Sequence, residues 1–139
     1  MTLVVDASVA IKWIVEEVDS RRARLLRGLD EPLIAPELVV AEICNAMWKL
    51  VVRRAVTEHQ ANGAIRTLGG AFDDLIGLSE LAEDAFALAR VLDHSAYDCF
   101  YAALALREGA VYVTCDAPFL RALRRSSLAL TARTLDEFG

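Results

Sequence analysis

Four carboxylates in this 139-residue chain have a type and spacing that could do chemistry. Asp6 and Asp116 each follow a short apolar, β-branched run that is typical of a buried strand, and Asp98 opens the helix that leads into the second of these runs. Because the carboxyl ends of parallel strands meet at one edge of a sheet, where α/β proteins bind their ligands, these three acids are expected to lie close together.

Three of the acids also have an ordinary structural interpretation. Asp6 and Asp116 can each cap the helix that follows, because Asp is a favoured N-cap residue. Ser95 and Asp98 match the spacing of a capping box, with the acid at the position where Glu or Gln is more usual. Capping and ligand binding therefore both stay open for these residues.

Glu42 lies more than one turn inside a long apolar helical pattern, so capping does not explain it. It shares a helical stripe with Asn45 and Lys49, so one interpretation is that it faces solvent. The alternative is that it points into a polar pocket, where an unpaired carboxylate would need a cation in order to ionise.

Carboxylates that lie within a few ångströms of one another hold protons at neutral pH unless a positive charge separates them. The local sequence offers only His94, and we interpret both His94 and His59 as surface or loop residues. A divalent metal is the natural counter-charge, and oxygen ligands favour Mg²⁺ or Mn²⁺ over zinc.

Other chemistries find little support in the sequence. It contains no phosphate-binding glycine loop, dinucleotide fingerprint, zinc-protease motif or serine nucleophile elbow. A phospho-aspartate enzyme is disfavoured, because Ser8 stands two residues after Asp6 and no Lys follows Lys49. Cys44, Cys99 and Cys115 are odd in number and lack CxxC spacing, which predicts reduced thiols and a cytoplasmic protein.

Composition predicts one globular domain over residues 1–139. The chain is 55% hydrophobic and 25% charged, which excludes disorder, and its longest apolar run, residues 99–106, is too short to span a membrane. We also find no signal peptide. The net charge of −5 argues against a nucleic-acid partner, yet thirteen of the 15 cations are Arg, which binds phosphate well. The Arg clusters are 21–27, 53–54 and 121–125, and each can equally be a solvated helix face.

Short strands alternate with helices, which predicts an α/β fold with a parallel sheet. The predicted strands are 2–5, 32–36, 74–78, 111–115 and a final one at 128–131. The predicted helices are 8–16, 19–29 with Asp19 or Ser20 as its cap, 37–55, 57–68 with Thr57 as its cap, 80–92, 95–108 and 118–125.

The chain resembles PIN-domain nucleases, and more closely the VapC-like toxins of prokaryotic type II toxin–antitoxin systems. The resemblance covers nearly the whole length and rests on four segments in order. These are Val4-Val5-Asp6-Ala-Ser8, Glu42 with Asn45, Tyr97-Asp98 leading into Ala102-Ala-Leu-Ala, and Val113-Thr-Cys-Asp116.

The resemblance implies an α/β/α sandwich with a short, mainly parallel sheet, usually dimeric, whose acidic pocket holds Mg²⁺ or Mn²⁺. Asp6, Glu42, Asp98 and Asp116 match the family's acidic residues, all four as metal-site and catalytic residues. Thr114 matches a supporting hydroxyl position. Ser8 resembles a second supporting position. The resemblance also implies an endoribonuclease that a cognate VapB-like antitoxin holds inactive.

The resulting hypothesis is metal-assisted hydrolysis of RNA, with Asp6, Asp98 and Asp116 as ligands and Glu42 orienting or deprotonating the attacking water. Products would carry 5′-phosphate and 3′-hydroxyl ends. One alternative is a PIN-fold protein with little catalysis that acts mainly by binding its antitoxin or another protein. Another is a DNA-directed nuclease of the same fold.

Overall fold

Five short parallel strands form the centre of the protein in a computed structural model that describes residues 1–138. The strands are β1 (Leu3–Val5), β2 (Leu33–Pro36), β3 (Asp74–Ile76), β4 (Val111–Val113) and β5 (Thr131–Arg133). Their order is β3-β2-β1-β4-β5, and every neighbouring pair is parallel. The predicted α/β fold with a short parallel sheet is confirmed.

Within residues 1–138, seven α-helices flank the sheet. They are α1 (Ala7–Ala10), α2 (Ser20–Arg27), α3 (Leu38–Val52), α4 (Glu58–Gly69), α5 (Leu78–Leu92), α6 (Ala96–Glu108) and α7 (Ala117–Arg125). Short 3₁₀ segments cover Ile11–Trp13 and Leu135–Phe138. Among residues 1–138, no helix combines the length and the apolarity that a membrane crossing requires.

The order in which the chain adds strands to the sheet reverses at the seam between β1 and β4. From β1 the chain builds outwards through β2 and β3 on one side, and it then crosses over to add β4 and β5 on the other. Val5 pairs with Val113 across the seam, so Asp6 and Thr114 both leave the sheet at the same edge. A reversal of this kind opens the crevice in which α/β sheets bind ligands.

Helix α6 packs against β1, β2 and β4 and so lies beneath this seam. Its face towards the sheet is rich in alanine, including Ala102, Ala103 and Ala105, which lets the helix approach the strands closely. Gly109, at a φ of 59°, ends the helix in the left-handed conformation that glycine tolerates best, and β4 begins two residues later.

The predicted helix over residues 8–16 is wrong. Helix α1 ends at Ala10, and the chain tightens into a 3₁₀ turn that ends at Trp13. The indole Nε1 of Trp13 donates to the carbonyl of Ala23 (2.8 Å), which anchors this turn against α2. Ser20 stabilises the loop that follows this turn. Its Oγ donates to the carbonyl of Val15 and accepts from the N–H of Glu17.

Two other predicted boundaries need correction. The final strand is β5 at 131–133 rather than 128–131, because its register is set by pairing with β4, where Ala132 lies opposite Tyr112. Asp19 stands before α2 at a φ of 67° without a capping bond from its side chain, so it is not a side-chain cap. Thr57 does cap α4 and forms a full capping box with Gln60.

Candidate metal centre

The carboxylates singled out by the sequence come from four elements that meet at the β1–β4 seam. Asp6 follows β1, Asp116 follows β4 after a two-residue link, Asp98 lies in the first turn of α6, and Glu42 lies on α3. Asp6 and Asp98 both act electrostatically on Glu42. Residues that are more than a hundred positions apart in the chain therefore share one acidic cup.

Asp6 is the most buried of these acids, with 7% of its surface exposed. Its Oδ1 accepts hydrogen bonds from the Ser8 hydroxyl (2.5 Å) and the Val9 N–H (3.3 Å), so it does cap α1. Its Oδ2 accepts from the Tyr112 hydroxyl (3.0 Å). Burial raises the pKa of Asp6 above its ordinary value, although these hydrogen bonds, together with one from Thr114, act in the opposite direction.

Glu42 turns into the cup rather than out to solvent. The hydroxyl of Tyr101 donates to Glu42 Oε1 (2.5 Å), and the carboxylate is half-buried, whereas Asn45 and Lys49 on the same helix are exposed. Burial raises the pKa of Glu42, and the negative charges of Asp6 and Asp98 raise it further. Of the two interpretations of Glu42, the structure supports the pocket.

Two tyrosines hold the two acids in place. The rings of Tyr101 and Tyr112 stack with centroids 6.0 Å apart, and their hydroxyls donate to Glu42 and Asp6 respectively. Burial and the adjacent carboxylates raise the pKa of both phenols, so both stay protonated and act as hydrogen-bond donors.

Asp98, Asp116 and His94 form the tightest group in the cup. One ligand atom from each side chain lies within 4.8 Å of the others, and this is the one group of at least three such donors found within residues 1–138. The Nε2 atom of His94 lies 2.7 Å from Asp98 Oδ2, and its ring stacks on Phe119 with centroids 4.4 Å apart. Asp98 therefore bonds His94 instead of completing a capping box with Ser95.

Asp116 is both a helix cap and part of this group. Its Oδ1 accepts from the Phe119 N–H (3.0 Å), which caps α7, while its own N–H donates to Thr114 Oγ1 (3.0 Å). Ser8 Oγ accepts from the Cys115 N–H (3.2 Å) while donating to Asp6. Ser8 thus connects the segment after β1 to the segment after β4, whereas Thr114 holds Asp116 within the segment after β4.

The donor set fits a divalent cation. Among the residues described, no Lys or Arg forms an ion pair with Asp6, Glu42, Asp98 or Asp116, and His94 is the only basic partner. Burial raises the pKa of both Asp6 and Glu42, so neither carboxylate is fully compensated for the water that it has lost. A hard cation that accepts carboxylate oxygens supplies this compensation.

Comparison with known proteins identifies the family of the chain. Residues 3–124 match the family model of the PIN domain. The chain belongs to the PIN-domain family. It is also 33% identical over 118 residues to Ribonuclease VapC3 of Pyrobaculum aerophilum, a match that covers 84% of this chain and 90% of that protein.

Solved PIN-fold structures superpose over almost all of the chain. PAE2754 from Pyrobaculum aerophilum gives a TM-score of 0.69 at 20% identity and covers 99% of this chain and 86% of its own. VapBC2 from Rickettsia felis, bound to a DNA fragment from their promoter, gives a TM-score of 0.70 at 15% identity. The match covers 96% of this chain and 98% of that one. VapBC-1 from nontypeable Haemophilus influenzae gives a TM-score of 0.70 at 16% identity, and the match covers 98% of this chain and 99% of that one.

Sequence reasoning missed three residues of this cup. His94 does lie in the α5–α6 loop, but its ring enters the cup instead of facing solvent. Tyr112 occupies the middle of a strand and reads as a core residue, and Tyr101 sits in the apolar stretch of α6. The spacing of His94 four residues before Asp98, one helical turn, is the signal that could have revealed the first of them.

The raised pKa of Asp6 predicts a pH-dependent stability in metal-free protein. Between the ordinary value of 3.8 and the raised value, the folded state keeps a proton that the unfolded state has released. The free energy of unfolding of the wild type should therefore fall as pH rises through this window. Asp6→Asn removes the charge, so its free energy of unfolding should increase relative to the wild type over the same range. Urea denaturation in EDTA at a series of pH values measures the difference.

A matched control is Asp84→Asn, which changes an exposed carboxylate on α5. The difference in free energy of unfolding between Asp84→Asn and the wild type should vary little with pH. If Asp6→Asn and Asp84→Asn gave the same flat profile, burial would not govern the protonation of Asp6.

Proposed function

We propose that this chain, as a single PIN-domain unit over residues 1–139, is a metal-dependent endoribonuclease and the toxin of a type II toxin–antitoxin module. The convergence of Asp6, Glu42, Asp98 and Asp116 at the β1–β4 seam carries the proposal. Its closeness to a protein named Ribonuclease VapC3 supports RNA as the substrate class. Three free thiols fit a cytoplasmic site of action.

Asp6, Asp98 and Asp116 are proposed to hold Mg²⁺ or Mn²⁺, with Glu42 beside them. When bound, the ion lowers the pKa of the attacking water and offsets the charge that builds on the phosphate. The hydrogen bonds from Ser8 and Tyr112 fix the Asp6 carboxylate before substrate arrives, so little reorganisation remains to be done.

Glu42 is proposed as the proton acceptor. Tyr101 occupies its Oε1, which leaves Oε2 for the attacking water, and the raised pKa makes the carboxylate a better base than an exposed Glu. Attack on phosphorus breaks the bond to the 3′ oxygen. The electron pair stays on that oxygen, which takes up a proton from solvent water, and Glu42 returns the proton of the attacking water to solvent, so the products carry a 5′-phosphate and a 3′-hydroxyl.

The arginines of α7 are the best candidates for contacts with the RNA backbone. Helix α7 starts at Asp116, inside the cup, and its exposed Arg121 and Arg125 form no salt bridge among residues 1–138. Arg124 is engaged by Glu137 and by the carbonyl of Ala132. The cluster on α2 is less available, since all of its arginines except the exposed Arg21 pair with acids or lie over an indole ring. These are Arg22 with Asp19 and Asp136, Arg24 with Glu16, and Arg27 over Trp13.

An antitoxin of the VapB type is the proposed protein partner. Two similar structures bear the name VapBC, which supports this proposal. An apolar groove of about 580 Å³ between the 3₁₀ turn, α3 and α4 offers a surface that fits an amphipathic segment. Its apolar lining consists of Ile14, Val15, Met47, Ala55, Val56, Ala61 and Ala64.

The expected homodimer stays a proposal. Large apolar side chains are exposed on two helices, with Trp48 on α3 at 62% and Phe86 and Val91 on α5 at 66% and 70%. Exposed apolar side chains of this size support a protein interface.

Loss of one acid should abolish cleavage and spare the fold. Asp6→Asn is expected to lower the rate of RNA cleavage in Mg²⁺ by at least about 100-fold, because several kcal/mol of charge stabilisation depend on the bound ion. Gel assays with a structured RNA, with and without EDTA, measure this rate, and circular dichroism checks the fold.

Asp84→Asn should cleave at the wild-type rate. Cleavage by Asp6→Asn at the wild-type rate, or cleavage by the wild type that EDTA leaves intact, would contradict the assignment. A purified wild type with no metal-dependent cleavage would favour the alternative that the protein acts mainly by binding a partner. Parallel assays on DNA test the alternative of a DNA-directed nuclease.

Removal of the free arginines on α7 should weaken RNA binding while chemistry continues. For Arg121→Ala combined with Arg125→Ala, we expect KM to rise about tenfold with kcat nearly unchanged. The slope of log affinity against log salt should become shallower by about 1.4, which corresponds to two phosphate contacts with a single strand. Steady-state kinetics and binding titrations at several salt concentrations measure both.

Arg66→Ala on α4 is the control, because it removes an exposed arginine from a helix that carries none of the four acids. An equal effect of Arg66→Ala and of the α7 double variant would show that only net charge matters and that α7 is not the RNA contact.

A further inference from the structure

One nitrogen donor enters a cup that is otherwise built from oxygens. His94 Nε2 lies 2.7 Å from Asp98 Oδ2, and a ligand atom of Asp116 lies within 4.8 Å of both side chains' ligand atoms. Asp6 and Glu42 contribute charge beside this group without belonging to it. The closest set of donors is therefore one imidazole and two carboxylates, rather than carboxylates alone.

We propose that His94 is a direct ligand of the divalent ion, together with Asp98 and Asp116, and that it tunes the site towards Mn²⁺ and other transition metals over Mg²⁺. This inference rests on the metal centre of the proposed function and adds to it a ligand and a metal preference. Carboxylate and water ligands suit both Mg²⁺ and Mn²⁺, but Mg²⁺ is the harder ion and keeps its oxygen ligands, so replacing one oxygen by an imidazole nitrogen weakens Mg²⁺ more than it weakens a first-row transition metal.

The spacing of the three donors fits one ion. At metal–ligand distances of about 2.1 Å, neighbouring donors of an octahedral ion lie about 3.0 Å apart and opposite donors about 4.2 Å apart. The separation of 2.7 Å between His94 and Asp98 is a little shorter than the spacing of neighbouring donors, and the limit of 4.8 Å for the whole group is a little longer than that of opposite donors. Side-chain adjustments of a few tenths of an ångström therefore bring all three donors to one ion. The hydrogen bond between His94 and Asp98 does not involve Asp116, which its capping bond with Phe119 places beside the pair.

The ring is held in position for ligation. Phe119 stacks on the imidazole at 4.4 Å between centroids and 26° between planes, and Phe119 itself is fully buried. The N–H of Phe119 also donates to Asp116 Oδ1, the cap of α7, so one residue holds both the ring and a carboxylate of the group. Asp98 follows His94 by one helical turn, which keeps the two side chains on the same side of the α6 N-terminus.

An imidazole nitrogen bound to Mn²⁺ gives a spectroscopic signal, and this signal can be assigned to one residue because the chain contains only two histidines. His59, on α4, is exposed and lies outside the group. His94→Gln is the informative variant, because its amide can still donate to Asp98 while offering an oxygen in place of the ring nitrogen. His59→Gln is the matched control.

The test is Mn²⁺ binding to metal-free protein at one fixed pH, followed by pulsed electron paramagnetic resonance and by titration against Mg²⁺. The wild type and His59→Gln should show hyperfine coupling from an imidazole ¹⁴N, and His94→Gln should not. His94→Gln should also bind Mn²⁺ about 10- to 100-fold more weakly, with a smaller change for Mg²⁺, so that the preference for Mn²⁺ shrinks.

Three outcomes would overturn the inference. The first is Mn²⁺ bound to the wild type without nitrogen coupling, which would leave the proposed nuclease centre intact with oxygen ligands only. The second is coupling that persists in His94→Gln. The third is a wild type that binds neither ion, which would remove the proposed metal centre as well. Circular dichroism of His94→Gln confirms that the fold is intact, and Asp84→Asn reports on binding at unrelated surface acids.

Discussion

The cost of burying carboxylates without a cation, to which their mutual repulsion adds, is the constraint on which the rest of this molecule depends. Asp6 is almost fully buried, Glu42 is half-buried, and each acts on its neighbours through a medium that screens charge poorly. No Lys or Arg within residues 1–138 forms an ion pair with either of them. Such an arrangement costs stability in the metal-free fold and prepares a strong site for a cation.

The fold maintains this arrangement through adjacency in the sheet. Parallel pairing of β1 with β4 places Asp6 beside Thr114, and α6 and α7 then bring Asp98 and Asp116 from either side of β4 along the chain. Capping and ligand binding do not compete here. Asp6 and Asp116 each cap a helix through one carboxylate oxygen, Oδ1. A carboxylate has about four acceptor positions, so each side chain can still offer one to a cation in the cup.

The sequence carried most of the fold and the acidic residues, because both follow from local patterns. Strands that end in Asp, helices with clear apolar periodicity, and a threonine cap at Thr57 are features that neighbouring residues decide. The errors came from tertiary contacts. Trp13 ends α1 early by bonding to Ala23, and the position of β5 is fixed by its partner strand. His94 was assigned to a loop correctly, but its stacking on Phe119 depends on a contact 25 residues away along the chain.

Anomalous diffraction from crystals soaked in Mn²⁺ tests the central claim most directly, because it locates the ion without relying on activity. We predict a manganese peak at the β1–β4 seam, about 2.1–2.3 Å from oxygens of Asp6, Asp98 and Asp116 and from Nε2 of His94, with Glu42 facing it. Manganese bound only elsewhere on the surface, with these carboxylates unbonded, would contradict the account.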